Sequence, residues 1–355
     1  MTLESFEIIR LLILTTIAFA VAFFSAPPLI RFLHAAKMGK SIRSAAETPV
    51  YSKLHAKKNG TPTMGGIVVW LTVLLLAFVF AAFYQWSPES FLGKLNFLTR
   101  PQTLLPLGAL VASAIVGLVD DYWNIKKIGP SGGGLRVRHR LLIYAAVAAF
   151  GAWWFSAKLG FDLLHVPFMG DFVIGPWWYA LFFLVVIVAT AFSVNETDGL
   201  DGLAGGTLFI AFGAYAIIAF AQGKYDLAVF CGVIIGALLA FLWFNIHPAR
   251  FFLGDTGAMS LGVTLGIVAM LTNAALLLPI IGFVFVLESS SVLLQLWWRR
   301  VFKKKLLRSS PLHHHLEAKG WPEPQIVMRL WVVSIVVAAI GVAISLMDAL
   351  IKNVK

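Results

Sequence analysis

The chain has 355 residues, of which 59% are hydrophobic and only 13% charged. Soluble domains carry about 25% charged residues, and half that level cannot coat a water-facing surface of this size, so a soluble globular protein and a disordered chain are both excluded. The charge present is basic, 28 Lys and Arg against 17 Asp and Glu for a net +11, as in a multi-span membrane protein whose loops meet anionic lipid or anionic ligand.

A helix needs about 20 apolar residues to cross the hydrocarbon core. Reading for such runs predicts an all-α integral membrane protein with ten transmembrane helices, at roughly 8–33, 66–86, 103–122, 141–157, 174–194, 203–222, 225–246, 258–272, 275–298 and 329–350. The chain reads as one polytopic membrane domain without internal repeats. The first run is too long, and too weakly basic at its start, for a cleaved signal peptide. The eighth is short, which suits a slightly tilted or partly re-entrant helix. Trp86, Trp177, Trp178, Trp297, Trp298 and Trp331 fall near span ends, where aromatic belts form. GPSGGG at 129–134 lacks the Lys-Ser/Thr of a phosphate loop and reads as a flexible link. The single Cys231 excludes an intrachain disulfide and a cysteine-built metal site, and reads as packing.

Sidedness follows from Lys and Arg. The odd-numbered loops hold twenty of them: six between 37 and 58, five between 126 and 140, Arg250, and eight between 299 and 329. The even loops and the C-terminal tail hold six. The positive-inside bias therefore puts the odd loops, about 34–65, 123–140, 195–202, 247–257 and 299–328, in the cytoplasm and both termini outside. The same bias accounts for the basic charge, so no nucleic-acid partner is expected.

The chemically potent residues fall on that cytoplasmic face. Asp120 and Asp121 end the third span, Asp198 and Asp201 lie in NETDGLDGLAGG, Asp255 lies in FFLGDTGA, and His313, His314 and His315 lie in the ninth loop. Clustered carboxylates repel unless a cation compensates them, and oxygen-rich, cysteine-free surroundings fit Mg²⁺. With Lys, Arg and His to hold an anion, these are the parts of phosphoryl transfer. Blander roles fit the same residues: an interfacial helix end for Asp120 and Asp121, turn-building and capping for Asp198, Asp201 and Asp255. Glu288 stands apart, an acid in mid-span that suits a bundle interior or a lipid-phosphate groove.

The strings KNGTPTMGG (58–66), GLVDDYWN (117–124), VNETDGLDGLAGG (194–206), FFLGDTGAMSLG (251–262) and SSPLHHHLEAKGWPEP (309–324) resemble the phospho-N-acetylmuramoyl-pentapeptide-transferase family. That family belongs to the polyprenyl-phosphate sugar-1-phosphate transferases, and the match runs over nearly the whole chain in the family's order. The resemblance implies an enzyme of the bacterial cytoplasmic (inner) membrane. It would transfer phospho-MurNAc-pentapeptide from UDP-MurNAc-pentapeptide to undecaprenyl phosphate, releasing UMP and forming lipid I for peptidoglycan, with Mg²⁺ as cofactor and a homodimer as the usual assembly.

By motif position, the resemblance makes Asp255 the Mg²⁺ ligand, with Asp198 a possible second. Asp120 and Asp121 would stand beside it as catalytic residues, Asp120 deprotonating or orienting the lipid phosphate. Lys58, Asn195, Asp198, Asp201, Arg140, His313, His314 and His315 would bind substrate, and Glu288 would border the lipid groove on a bent ninth helix. This chain departs from the family at Asn124 and Arg140, where Lys is usual, at Glu196, where an apolar residue is usual, and at Arg250, where Glu is frequent. Two alternatives stand beside this reading. One is a sibling transferase using another donor such as UDP-GlcNAc, against which the 309–324 string argues. The other is an ion-coupled transporter or flippase, whose acids would sit near the midplane rather than at one surface.

Overall fold

The structure, a computed structural model, describes residues 3–39, 58–129 and 133–354. Helix α1 (Leu3–Ala35) has 33 residues, about 50 Å at 1.5 Å per residue. It is followed by α2 (Gly66–Trp86), the one-turn α3 (Phe91–Lys94), α4 (Leu104–Ile125) and α5 (Val137–Leu159). A two-stranded antiparallel hairpin of β1 (Leu163–Val166) and β2 (Gly170–Val173) then leads into α6 (Pro176–Thr197), α7 (Leu203–Ala221), α8 (Tyr225–Asn245) and α9 (Gly254–Leu271). A 3-10 turn (Ala275–Leu277) enters α10 (Leu278–Ile281), which precedes α11 (Phe283–Phe302), α12 (Leu312–Ala318) and α13 (Glu323–Val354).

Among the described residues, α1, α2, α4, α6, α7, α8, α9 and α13 are long and apolar enough to cross a membrane. The segment Ala275–Ile281 and α11 meet at 82° across Gly282 and add a ninth span if counted as one. Helix α5 has 23 residues, but Arg138, Arg140 and Lys158 shorten its apolar stretch. Arg140, expected in a loop, is in the first turn of this helix. The hairpin was not expected: its strands are four residues each, too short to show a period of two, and its turn rests on positive φ at Phe168 and Gly170. Lys40, Arg43, Lys53 and Lys57 of the first basic loop, and residues 130–132 of the glycine-rich link, lie outside the described residues.

Helix α9 is the hub. Of its apolar window 94% is buried, against 22% for α1 and for α13. Small residues give it close neighbours: a Cβ at Gly262 would lie 2.8 Å from Ala191 Cα, and one at Gly266 2.8 Å from Ile187 Cδ1, both on α6. Between apolar helices in lipid, such close backbone approach supplies the packing energy that water supplies elsewhere. Large side chains left exposed on the outer helices, among them Phe24, Leu75, Val185, Trp243 and Ile335, face where acyl chains would lie.

Polar residues gather at two ends. One end collects the start of α2, the close of α4, the start of α5, the α6–α7 turn, the α8–α9 loop and α12, all odd-numbered loops. The opposite end is pinned by Arg10, which ion-pairs with Glu7 and Asp226 and donates to the Asn96 carbonyl at 3.0 Å. His165, between Asp171 and Asp348 at 2.7 Å from each, ties the hairpin there to α13. Trp86 and Trp177 are highly exposed at helix ends, as belt residues should be. Trp331 instead packs inward over Gly206 and donates to the Gly202 carbonyl at 3.2 Å, because glycines open a notch for its ring.

Candidate active site

The acids closing α4 reach Asp255 because glycines remove the side chains between them. A Cβ at Gly117 would lie 2.4 Å from the Asp255 carbonyl oxygen. One at Gly254, whose φ of +74° favours glycine, would lie 2.6 Å from both Asp121 Oδ2 and Thr63 Oγ1. Through these notches α2, α4 and α9 meet, and buried Asp121 is held from two sides. Thr63 Oγ1 donates to its Oδ1 at 3.2 Å, and the Thr256 amide in the first turn of α9 donates to its Oδ2 at 3.1 Å. A carboxylate there satisfies an otherwise orphan N–H and sits at the positive end of the helix dipole.

Arg140 joins the remaining groups. One guanidinium nitrogen donates to Asn195 Oδ1 at 2.9 Å; the other lies 2.8 Å from Asp120 Oδ2 and 2.8 Å from Asp255 Oδ2. Asn195 Nδ2 closes the ring by donating to Asp255 Oδ1 at 2.8 Å. Asp120 is fully buried, and its Oδ1 accepts from the Leu135 amide at 2.5 Å, so the loop before α5 is fastened to the end of α4. Asp120, Asp121, Asn195 and Asp255, predicted from three separated strings, thus form one constellation with Arg140. Half-buried Asp198 caps α6 three residues beyond Asn195, its amide donating to the Asn195 carbonyl at 3.3 Å.

Lys58 and Asp201 form a second cluster with two residues that sequence reading assigned no role. Lys58 Nζ donates to Asp201 Oδ1 at 2.6 Å and to Glu323 Oε1 at 2.5 Å. Asp201 Oδ2 meets His247 Nδ1 at 3.0 Å and accepts from the Ala249 amide at 3.1 Å, while the Asp201 amide donates to Glu323 Oε1 at 2.6 Å. Glu323 opens α13 and His247 sits in the α8–α9 loop. The only signal for them was position: each stands in a Pro-containing string, WPEP and HPA, beside a predicted span. Asn245 braces the same turn, its Oδ1 accepting from the Gly202 amide at 3.0 Å and its Nδ2 donating to the Phe251 carbonyl at 2.8 Å.

The three histidines do not act together. His313 is fully buried, and Glu288 Oε2 lies 3.0 Å from its Nδ1 and accepts from its amide at 3.2 Å. On its far side the ring presses on the DGLDG turn: a Cβ at Gly199 would lie 2.2 Å from Nε2. His314 turns to Glu317, 2.7 Å away, and His315 Nδ1 accepts from the Arg308 amide at 3.0 Å. Partial burial and the nearby charges of Lys319 and Arg308 hold the His315 pKa below its usual value, which suits an acceptor. Glu288, fully buried on α11, therefore meets the polypeptide through His313.

Two groups of acids compete as a cation site. Asp201, His247 and Glu323 have ligand atoms within 4.8 Å of one another, but the Lys58 ammonium already bridges both carboxylates and supplies the positive charge. Around Arg140, the carboxylates of Asp120 and Asp255 share one guanidinium, and buried Asp120 Oδ2 has no hydrogen bond aligned on it beyond its ion pair. Carboxylate oxygens are donors that a hard divalent ion takes, and here too a cation, Arg140, already bridges them.

The sequence pattern of glycosyl transferase family 4 matches residues 103–273, a stretch that holds Asp120, Asp121, Arg140, Asn195, Asp201 and Asp255. The chain is 37% identical over 353 residues to a phospho-N-acetylmuramoyl-pentapeptide-transferase of Chloroflexus aurantiacus, covering 96% of this chain and 90% of that one. It is 40% identical over 337 residues to the enzyme of that name from Geobacillus kaustophilus, covering 94% and 97%. Against the Shouchella clausii protein of the same name it is 39% identical over 339 residues, again covering 94% and 97%. Likeness of this degree, end to end rather than confined to the acid-bearing loops, makes the chain a member of the phospho-N-acetylmuramoyl-pentapeptide-transferase family.

Proposed function

We propose that this bacterial inner-membrane transferase moves phospho-MurNAc-pentapeptide from UDP-MurNAc-pentapeptide onto undecaprenyl phosphate, giving lipid I and UMP. The observation that carries the reading is the ring of Asp120, Arg140, Asn195 and Asp255 at one end of a lipid-exposed bundle. A phosphate oxygen of the lipid forms a bond to the sugar-bearing phosphorus, the bond from that phosphorus to the bridging oxygen breaks, and UMP leaves with the bridging oxygen. The lipid phosphate is already anionic near pH 7, so creating a nucleophile is the lesser task. Bringing two anions together is the greater one.

Each side chain has a part in that task. Arg140 is the fixed cation, its planar fork suited to phosphate as well as to the carboxylates it now holds. Asp120, buried against it, orients the attacking phosphate, and Asn195 keeps Asp255 aimed. Asp255, with Asp198 as the possible second ligand, would hold Mg²⁺, which when bound neutralises phosphate charge and polarises the phosphorus–oxygen bonds. Lys58 and Asp201 line the nucleotide side and His314 and His315 the sugar-diphosphate approach, while buried His313 and Glu288, expected to bind substrate and to border the lipid groove, instead brace the DGLDG turn from behind. The chain crosses the membrane ten times when α5 and the bent segment are each counted, with both termini outside and the site at the cytoplasmic face. The assembly is a homodimer.

The test is UMP release in detergent from radiolabelled UDP-MurNAc-pentapeptide and undecaprenyl phosphate, with and without Mg²⁺. Release should require all three, fall by several powers of ten in Asp255→Ala, and be absent with UDP-GlcNAc. Equal turnover of UDP-GlcNAc would move the chain to a sibling activity. Near-normal turnover by a folded Asp255→Ala would remove Asp255 from the chemistry. Because detergent leaves no sealed compartment, release there also separates a transferase from a transporter or flippase.

A further inference from the structure

A cleft of about 490 Å³ opens between the end of α1 and the α8–α9 loop, lined by Ile30, Arg31, His34, Thr61, Ala249 and Arg250. Two arginines and a histidine stand in its lining, and no acid stands among the described lining residues. Arg31 has no hydrogen-bond or ion-pair partner among the described residues. Arg250 is fixed over the Phe244 ring at 5.6 Å and by its amide on the Phe244 carbonyl at 2.8 Å. His34 Nδ1 is engaged by the Ile30 carbonyl at 3.0 Å, which leaves Nε2 free of that bond. Cationic groups held together with no counter-charge among the described residues make an anion site.

The surroundings say which anion. From Arg250 an aromatic row runs down the α1–α8 seam: Phe244, then Phe23 at 5.4 Å, then Trp243 at 5.9 Å from Phe23. Trp243 and Phe24 are largely exposed on the bundle's outer surface, and Phe24 lies seven residues from Arg31, on the same line of α1. The cleft therefore caps an apolar strip that faces the bilayer. A soluble anion would use the charge and leave the strip idle; a membrane lipid uses both.

We propose that this cleft binds the phosphate of an anionic phospholipid, with its acyl chains along the α1–α8 seam. Arg31 and Arg250 donate to the phosphate oxygens and His34 adds a third donor. The proposal rests on the chain sitting in a bilayer and not on the reaction it catalyses, so failure of the UMP assay leaves it standing.

Native mass spectrometry of the full chain, released from detergent mixed with dioleoylphosphatidylglycerol and dioleoylphosphatidylcholine, tests it. The chain should retain phosphatidylglycerol in preference to phosphatidylcholine. Arg31→Gln/Arg250→Gln should weaken that preference about tenfold or more, the loss expected for charge-assisted hydrogen bonds. Arg31→Lys/Arg250→Lys should keep most of it, and Arg299→Gln/Arg300→Gln, which removes equal charge elsewhere, should leave it unchanged. Monodisperse elution of each variant shows that it is folded. Equal retention of both lipids would overturn the proposal, as would equal loss in the Arg299/Arg300 variant. Displacement of phosphatidylglycerol by millimolar inorganic phosphate would show a soluble-anion site, and displacement by UDP-MurNAc-pentapeptide a donor subsite; either result overturns the lipid assignment.

Discussion

At Arg140, two carboxylate oxygens and one amide oxygen converge on a single planar group. A lysine ammonium offers its donors from one point and cannot span that arc. Arg140→Lys is expected to keep the fold and lose about 10- to 100-fold in UMP release, the worth of one charge-assisted hydrogen bond in the transition state. Arg140→Ala leaves buried Asp120 without its cation and should cost about 3–5 kcal/mol of stability. Thermal unfolding in detergent separates the two, and a Lys variant melting as low as the Ala variant would make Arg140 a structural rivet only. The members of this ring were legible in the sequence because acids and amides are rare in such an apolar chain and stand in glycine-rich strings. Their sharing of one arginine was not legible, since it depends on Arg140 lying in the first turn of α5 rather than in the loop before it. His247 and Glu323 were missed for the opposite reason: each looks like an ordinary loop or helix-end residue until Lys58 and Asp201 are seen between them.

Helices set distances that residues alone cannot. At Gly117 on α4, an added methyl would lie 2.4 Å from the Asp255 carbonyl oxygen, whereas at Gly108 on the same helix nothing lies within 4 Å. Relief of the first contact moves α4 from α9 by roughly 1 Å, a misplacement that costs on the order of 100-fold in rate. Gly117→Ala should therefore lose most UMP release and Gly108→Ala almost none; equal activities would mean the acids tolerate the displacement. A second joint, where the α7–α8 turn meets the end of α9, carries a pH signature. Lys224 Nζ donates to the Leu271 carbonyl at 2.7 Å, and burial lowers its pKa from 10.5 to about 8. Between those values the unfolded chain holds a proton that the native chain has released, so native stability rises with pH. Wild type should gain on Lys224→Met in thermal unfolding as pH goes from 7 to 10, and a constant difference would mean the ammonium stays charged there. At this scale apolar runs foretold the long helices well, because lipid demands length and hydrophobicity together. They did not foretell the hairpin, and the 82° break at Gly282 came only as the bent ninth helix that the family resemblance implies, because both turn on local backbone geometry rather than on hydrophobicity.

Across the whole molecule, two separate features select the same end. Twenty of the 28 Lys and Arg lie in or beside the odd-numbered loops, and contacts between those loops build the Arg140 ring and the Lys58 cluster. Charge bias fixes orientation during insertion, whereas packing fixes which loops meet, so their agreement is a consequence of function only if substrate arrives from the cytoplasm. A UDP-linked donor made inside the cell meets that condition. Cysteine labelling in intact cells tests it without any assay of transfer. The native Cys231 is fully buried and gives little background. Glu89, on the even loop with 91% of its side chain exposed, and Lys304, exposed on the odd loop, are reporters with no place in the site. A membrane-impermeant maleimide should label Glu89→Cys in intact spheroplasts and reach Lys304→Cys only after permeabilisation. The reverse pattern would put the acids on the outer surface, where no cytoplasmic nucleotide donor can reach them.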